Sequence, residues 1–203
     1  MTNPIGIEVR VSFSVIAVVL TILAYIPYVR GVSAGKVQPH VFSWIIWGIT
    51  TCIVFFAQLV SHGGIGTLPI AFSGVTTFLV AIFAYQRRGK INITKMDWFF
   101  FLLALSSLPF WFYFSSPLAA VIVLSLADTL GFIPTIRKGY GLPHSEPLGF
   151  YLAFLFRNTL AMLALAEWNF TNLLFPGSVG LTCLVFVLLV KFRQQQSLKS
   201  GSL

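Results

Sequence analysis

Two opposite charges lie deep inside apolar segments of this chain. Asp128 comes eleven residues after Pro117, where one apolar segment begins, and Arg157 comes ten residues after Pro147, where the next begins. At the helical rise per residue, both would lie about 15 Å into a hydrocarbon core roughly 30 Å thick. Each charge alone would cost roughly 2.5–3.5 kcal/mol at that depth. The matching depth predicts that the two side chains face each other across a polar cavity.

This charge pair has two open interpretations. In the first, Asp128 and Arg157 form a static ion pair that locks the second half of the chain. In the second, the pair lines a substrate path, and Asp128 either binds substrate or carries a coupling proton. On the second interpretation, Asp128→Asn abolishes uptake driven by a pH gradient and leaves exchange intact.

Three further side chains could contact a substrate. Asn158 follows Arg157 at the same depth but projects about 100° further around the helix, so the two are not expected to point equally into one cavity. Asn158 either reaches the cavity or satisfies a neighbouring helix. Trp44 and Trp47 are three residues apart and share a helix face. They form either an interfacial aromatic belt or a stacking platform for a sugar face or a flat heteroaromatic ring.

The composition places these residues in a membrane protein. Hydrophobic residues make up 57% of the chain and charged residues 9%, and the mean hydropathy is +0.90. These values lie far outside the range of soluble domains. Because a span needs roughly 20 apolar residues, the chain is predicted to be a single membrane domain, 1–203. Its seven predicted spans are 11–29, 40–60, 66–86, 96–114, 117–135, 147–167 and 173–192.

The positive charge indicates topology. Seven spans would place the C-terminus and the loops after spans one, three and five on one side. That side collects the basic residues Arg30, Lys36, Arg87, Arg88, Lys90, Lys95, Arg137, Lys138, Lys191, Arg193 and Lys199. The other side has Arg10. The positive-inside rule then predicts a cytoplasmic C-terminus and an external N-terminus, in a bacterial inner (plasma) membrane. A net charge of +8 spread in this way indicates contact with anionic lipid and no nucleic-acid partner.

Motifs for metals, cofactors and catalysis are missing from the sequence. Cys52 and Cys183 are isolated in mid-segment, and the three histidines form no metal-binding spacing. Neither paired carboxylates nor a Ser/His arrangement points to an enzyme. We therefore expect no cofactor and no catalytic activity. A small-molecule substrate and the lipid bilayer are the expected partners, and a homo-oligomer is compatible with the sequence.

The chain contains an internal repeat. Residues 21–30 return 107 positions later as residues 128–137, each copy with a proline three residues before an arginine (Pro27 and Pro134). Thr21 stands where the second copy has Asp128. A second pair of prolines, Pro39 and Pro147, opens the next segment of each copy.

The third segments of the two copies also correspond. Each opens at a proline and carries small, weakly polar residues, with Thr77 in the first copy and Thr182 in the second. These faces serve either close helix packing or, through their hydroxyls, contact with substrate.

The repeat predicts the architecture. Two three-helix units, 11–86 and 117–193, are joined by a linker helix at 96–114 that matches neither copy. Because the linker is a single span, it brings the second unit into the membrane in the same direction as the first. The predicted fold is an all-α integral membrane protein with two parallel three-helix bundles. The mirrored Pro27 and Pro134 predict paired hinges at an inner gate, with Pro39 and Pro147 beside them.

On these features the chain resembles the PQ-loop superfamily, specifically the seven-helix SWEET-type sugar transporters, over residues 11–193. Pro134-Thr135 is similar to the Pro-Thr of SWEETs, and Pro27-Tyr28 replaces the Pro-Gln of the wider family. The third segments lack the asparagines that contact sugar in SWEETs. The resemblance implies a transporter that moves a small polar metabolite by alternating access between the two bundles. Vitamin-precursor carriers and proton-coupled PQ-loop exporters fit equally, so a sugar, a vitamin precursor and an amino acid all stay open as substrates. The alternative is a membrane sorting receptor or ligand sensor without net transport.

Overall fold

A computed structural model describes residues 1–34, 41–86, 95–132, 136, 139–141, 143 and 148–200. Seven α-helices of at least 15 residues lie in this part of the chain, and it contains no β-strand. A helix therefore occupies each of the seven segments predicted from the sequence. In chain order they are α1 Ile7–Ser33, α2 Val41–Val60, α3 Leu68–Gln86, α4 Lys95–Phe114, α5 Pro117–Gly131, α6 Leu148–Ala164 and α7 Phe170–Ser200. A short 3₁₀ helix, Gly64–Thr67, precedes α3.

The helices are apolar enough for a lipid environment. By length and composition, three described stretches could cross a membrane: Ile7–Ser33, Gly64–Gln86 and Phe170–Ser197. Three shorter apolar helices accompany them, at Trp44–Val60, Pro117–Leu130 and Leu148–Ala164. Large apolar side chains cover the outer faces of the helices, including Val15, Leu23, Val75, Leu102 and Leu188. An apolar surface of this extent would promote aggregation in water and is suited to contact with lipid.

The same packing scheme occurs twice. In the first triplet, α3 packs along both α1 and α2. In the second triplet, α7 likewise packs against both α5 and α6. The triplets meet where α1 packs along α6 and where α2 packs against α5, and α4 lies against α5 and α2.

The packing of α1 on α6 follows from small side chains. Four residues with helical spacing form one buried stripe on α1: Ser14, Ala17, Thr21 and Ala24. Ala161 and Ala164 are buried on α6. Small residues let two helix backbones approach closely. The α1–α6 contact is therefore the most extensive between the two triplets.

The connections of both triplets meet at one end of the bundle, which we call the sealed end (residues 1–3, 61–67 and 165–172). The Ala166 amide donates to the Gly63 carbonyl at 2.8 Å, and the Asn3 amide donates to the Ala166 carbonyl at 2.9 Å. The α2–α3 and α6–α7 connections, which correspond in the sequence repeat, thus lie side by side.

Two buried amides tie the helices together at the sealed end. Gln58 Nε2 donates to the Asn172 carbonyl at 2.8 Å. Asn172 Nδ2 in turn donates to the carbonyls of Ser61 and Glu167, both at 2.9 Å. Since Gln58 and Asn172 are fully buried, these bonds form away from solvent and hold α2 against α7.

Candidate functional site

Arg157 is the centre of a buried polar cluster between the triplets. The side chain is 2% exposed, near the middle of α6. Its Nε donates to Thr21 Oγ1 at 3.2 Å, and its Nη1 donates to Asn158 Oδ1 at 2.8 Å. Its Nη2 donates to the carbonyl of Pro69, at the start of α3. One guanidinium therefore joins α1, α3 and α6.

A second set of polar contacts lies next to it. Tyr25, one helical turn after Thr21 on α1, has its hydroxyl 2.9 Å from Thr77 Oγ1 on α3. Thr77 donates to the carbonyl of Ser73 at 2.7 Å, which leaves its oxygen free to accept from the tyrosine. Thr77 is thus part of the cluster, as a link between α1 and α3.

Aromatic rings surround these polar groups. Tyr25, Trp44, Phe150 and Phe154 form what we call the aromatic cluster. Tyr25 meets the other three rings edge-on, at centroid distances of 6.1, 6.2 and 5.8 Å respectively. The Arg157 guanidinium carbon lies 5.5 Å from the centroid of Phe154. A cation beside an aromatic face in a site without water is stabilised by the ring quadrupole.

The two tryptophans pack on each other and on α1. Their ring centroids are 5.5 Å apart, and Trp44 is 4.9 Å from Tyr28. Trp44 is 6% exposed, so it lies inside the bundle beside the polar cluster and not in a belt at the bundle surface. Trp47 is partly exposed at the edge of the same group.

Asn158 accepts from Arg157 and donates to the Phe154 carbonyl at 2.8 Å. The two neighbouring side chains were expected to diverge. Instead the flexible aliphatic part of the arginine side chain lets the guanidinium reach the amide, and both residues are buried. Asn158 therefore orients Arg157.

The predicted contact between Asp128 and Arg157 is not found. Among the described residues the two do not form an ion pair, and every hydrogen bond of Arg157 goes elsewhere. The reason is the order of the helices, because α7 lies between α5 and α6. The Asp128 side chain is partly exposed.

The remaining predicted residues are Thr182 and four prolines. Thr182 donates to the Ser178 carbonyl of its own helix at 2.8 Å and is partly exposed. Pro27 lies inside α1, and its role as a hinge stays a prediction. Pro39, Pro134 and Pro147 are outside the described residues.

Sequence reasoning did not identify Tyr25 and the Pro69 carbonyl as partners, and it took Thr21 merely as the counterpart of Asp128. The small-residue stripe on α1 was the available signal, because it indicates which face of α1 another helix approaches. No sequence pattern predicts that a backbone carbonyl will accept a hydrogen bond from an arginine on a distant helix.

The described residues contain no group of three or more His, Cys, Asp and Glu side chains able to hold a metal ion. What the cluster offers instead is a buried cation, hydroxyl and amide groups, and aromatic faces. Such a set can bind a small polar molecule. Comparison with protein-family models, curated proteins and solved structures finds no match.

Proposed function

We propose that this chain is a membrane transporter that moves a small polar metabolite by alternating access between two parallel three-helix bundles, α1–α3 and α5–α7. One observation carries this proposal: both triplets contribute to the buried polar cluster. Thr21, Tyr25 and Thr77 come from the first triplet, and Arg157 and Asn158 from the second. A site built from two bodies changes its geometry whenever those bodies move relative to each other.

Two features of the fold support the parallel arrangement. The two triplets repeat the same packing scheme, and their corresponding connections adjoin at the sealed end. Inverted repeats would place corresponding connections at opposite ends of the bundle. The same arrangement suits the resemblance to SWEET-type proteins and an inner-membrane location with the N-terminus outside.

The direction of access follows from the sealed end. Hydrogen bonds between the two triplets close that end, and an apolar core including Val54, Ala57, Val121 and Phe175 fills the bundle near it. We therefore expect the ligand to reach the cluster in this conformation from the opposite end, where α1 and α7 terminate.

Flux through reconstituted protein tests the proposal. Proteoliposomes containing the purified chain should show saturable counterflow with at least one labelled sugar, vitamin precursor or amino acid. Arg157→Gln should lower that flux about tenfold or more, because it removes the central charge. Phe156→Leu is the matched control, since this neighbouring side chain on α6 is 60% exposed on the outside of the bundle. Saturable binding without flux would identify a receptor or sensor and reject the transporter.

A further inference from the structure

The charge of Arg157 meets no carboxylate in the part of the chain that the structure describes. Its three hydrogen bonds go to a hydroxyl, a side-chain amide and a backbone carbonyl, all neutral. Among the described residues no carboxylate lies within 4.0 Å of it. A guanidinium carries five N–H donors, so two of them have no acceptor among the described residues. A desolvated cation in this condition is stabilised strongly by a charged acceptor.

The two repeats differ where a fixed counter-ion would stand. Thr21, which receives the Nε bond, corresponds to Asp128 in the second copy. At this repeat position the chain has a carboxylate on α5 and a hydroxyl on α1. The hydroxyl is the group that lies beside the arginine. An aspartate at position 21 would neutralise Arg157 permanently. The hydroxyl holds the guanidinium in place and leaves its charge available.

We propose that the metabolite carries a carboxylate or a phosphate, and that Arg157 binds this anionic group. The inference rests on the proposed transport function and names its substrate class. Thr21 and Asn158 are positioning residues, because each fixes one nitrogen of the guanidinium fork. The planar fork matches the two oxygens of a carboxylate or phosphate. The surrounding aromatic rings keep the local dielectric low, which strengthens the charge pair.

Matched pairs of anions and neutral analogues test the substrate class. Thermal unfolding of the purified protein at pH 7.5 would be followed with lactate and lactamide, nicotinate and nicotinamide, glucose 6-phosphate and glucose, and inorganic phosphate. We expect at least one carboxylate or phosphate compound to raise the melting temperature, since a ligand that binds the folded state stabilises it. Its neutral analogue should bind about tenfold more weakly or worse. Comparing the carboxylate compounds with the phosphate compounds shows which of the two anionic groups the site binds.

Two variants locate the binding group. Arg157→Gln removes the charge, and Thr21→Asp supplies a built-in carboxylate that competes with the ligand. Both should reduce anion affinity about tenfold or more. Thr21→Asn, which is similar in size to aspartate and neutral, should retain more anion affinity than Thr21→Asp. If Arg157→Gln does not fold, the comparison at position 21 still tests the proposal, because the arginine stays in place.

Three results would overturn the inference: stabilisation by neutral compounds alone, anion binding that survives in both variants, or no stabilisation by any anion of the panel. Its failure is separable from that of the transport proposal. If a neutral metabolite shows flux that these anions do not affect, the transport proposal stands and the proposal of an anionic substrate is rejected. If the protein binds anions and Thr21→Asp abolishes that binding, but the liposomes show no flux, the anion site stands and the transport proposal is rejected.

Discussion

At the scale of single residues, individual hydrogen bonds of the cluster can be removed by substituting one side chain. Thr77 donates to its own helix and accepts from Tyr25, so this hydrogen bond ties the Tyr25 hydroxyl of α1 to α3. Both residues are buried, and an unmade hydrogen bond there is not replaced by water.

Tyr25→Phe should therefore lower the melting temperature. Loss of one buried hydrogen bond costs about 0.5–1.5 kcal/mol, which corresponds to a fall of roughly 1–6 °C for a chain of this size. Thermal unfolding in detergent measures the change. Thr77→Val provides the second arm of a double-mutant cycle, and the double variant should cost little more than the worse single variant. Fully additive losses would show that the two side chains do not interact.

Asp128 leads to a different prediction, because among the described residues it forms no ion pair whose loss would unfold the protein. Asp128→Asn should change the melting temperature by no more than about 2 °C. If its carboxylate carries a coupling proton, the variant loses uptake driven by a pH gradient and retains exchange. The two modes would be measured in the same proteoliposome preparation. Gradient-driven uptake equal to that of the wild type would rule out the coupling role.

At the scale of helices and connections, the closest approach between the triplets at the sealed end depends on a glycine. A Cβ added at Gly66 would come within 2.6 Å of Leu165 Cα and of the Ala164 carbonyl carbon. These are backbone atoms of the opposite triplet and cannot rotate away. Gly66 thus brings the α2–α3 connection against the end of α6.

Gly66→Ala should destabilise the protein by about 1–3 kcal/mol, because the added methyl forces the two connections apart. Gly149→Ala is the matched control. It lies in the first turn of α6, where no described residue comes within 4 Å of the added Cβ, and alanine is a better helix former than glycine by up to roughly 1 kcal/mol. The melting temperature should fall for the first variant and stay level or rise for the second. Equal behaviour of both would mean that the connections are not in close contact.

The helices themselves could be predicted from the sequence, and their neighbours only partly. Runs of apolar residues mark α1–α7 because a helix in lipid needs little else than length and hydrophobicity. The pairing of Asp128 with Arg157 was wrong because the prediction assumed that helices adjacent in sequence also pack together. In each triplet the third helix lies between the first two. Depth along the helix was insufficient to predict the partners of Arg157, since the guanidinium reaches across the small-residue stripe to α1 and to the Pro69 carbonyl.

At the scale of the whole molecule, the proposed transport requires the two triplets to separate at the sealed end. A cross-link at the N-terminus could prevent this separation. Thr2 and Glu167 form an isolated antiparallel β-bridge, which joins the segment before α1 to the connection between α6 and α7. Residues paired in this way have Cα atoms about 4.5–5.5 Å apart, within the range that a disulfide spans.

A disulfide between Thr2→Cys and Glu167→Cys should therefore block flux by holding the first triplet against the second. The variant would be built with Cys52 and Cys183 replaced by serine and alanine, oxidised in proteoliposomes, and assayed before and after reduction. Flux should fall about tenfold or more on oxidation and return with reductant, since the bond limits the opening motion without touching the cluster. Each single cysteine variant is the control, and neither should respond to the oxidant. Undiminished flux after complete cross-linking would show that the sealed end stays closed throughout the cycle, which alternating access between these two triplets does not permit.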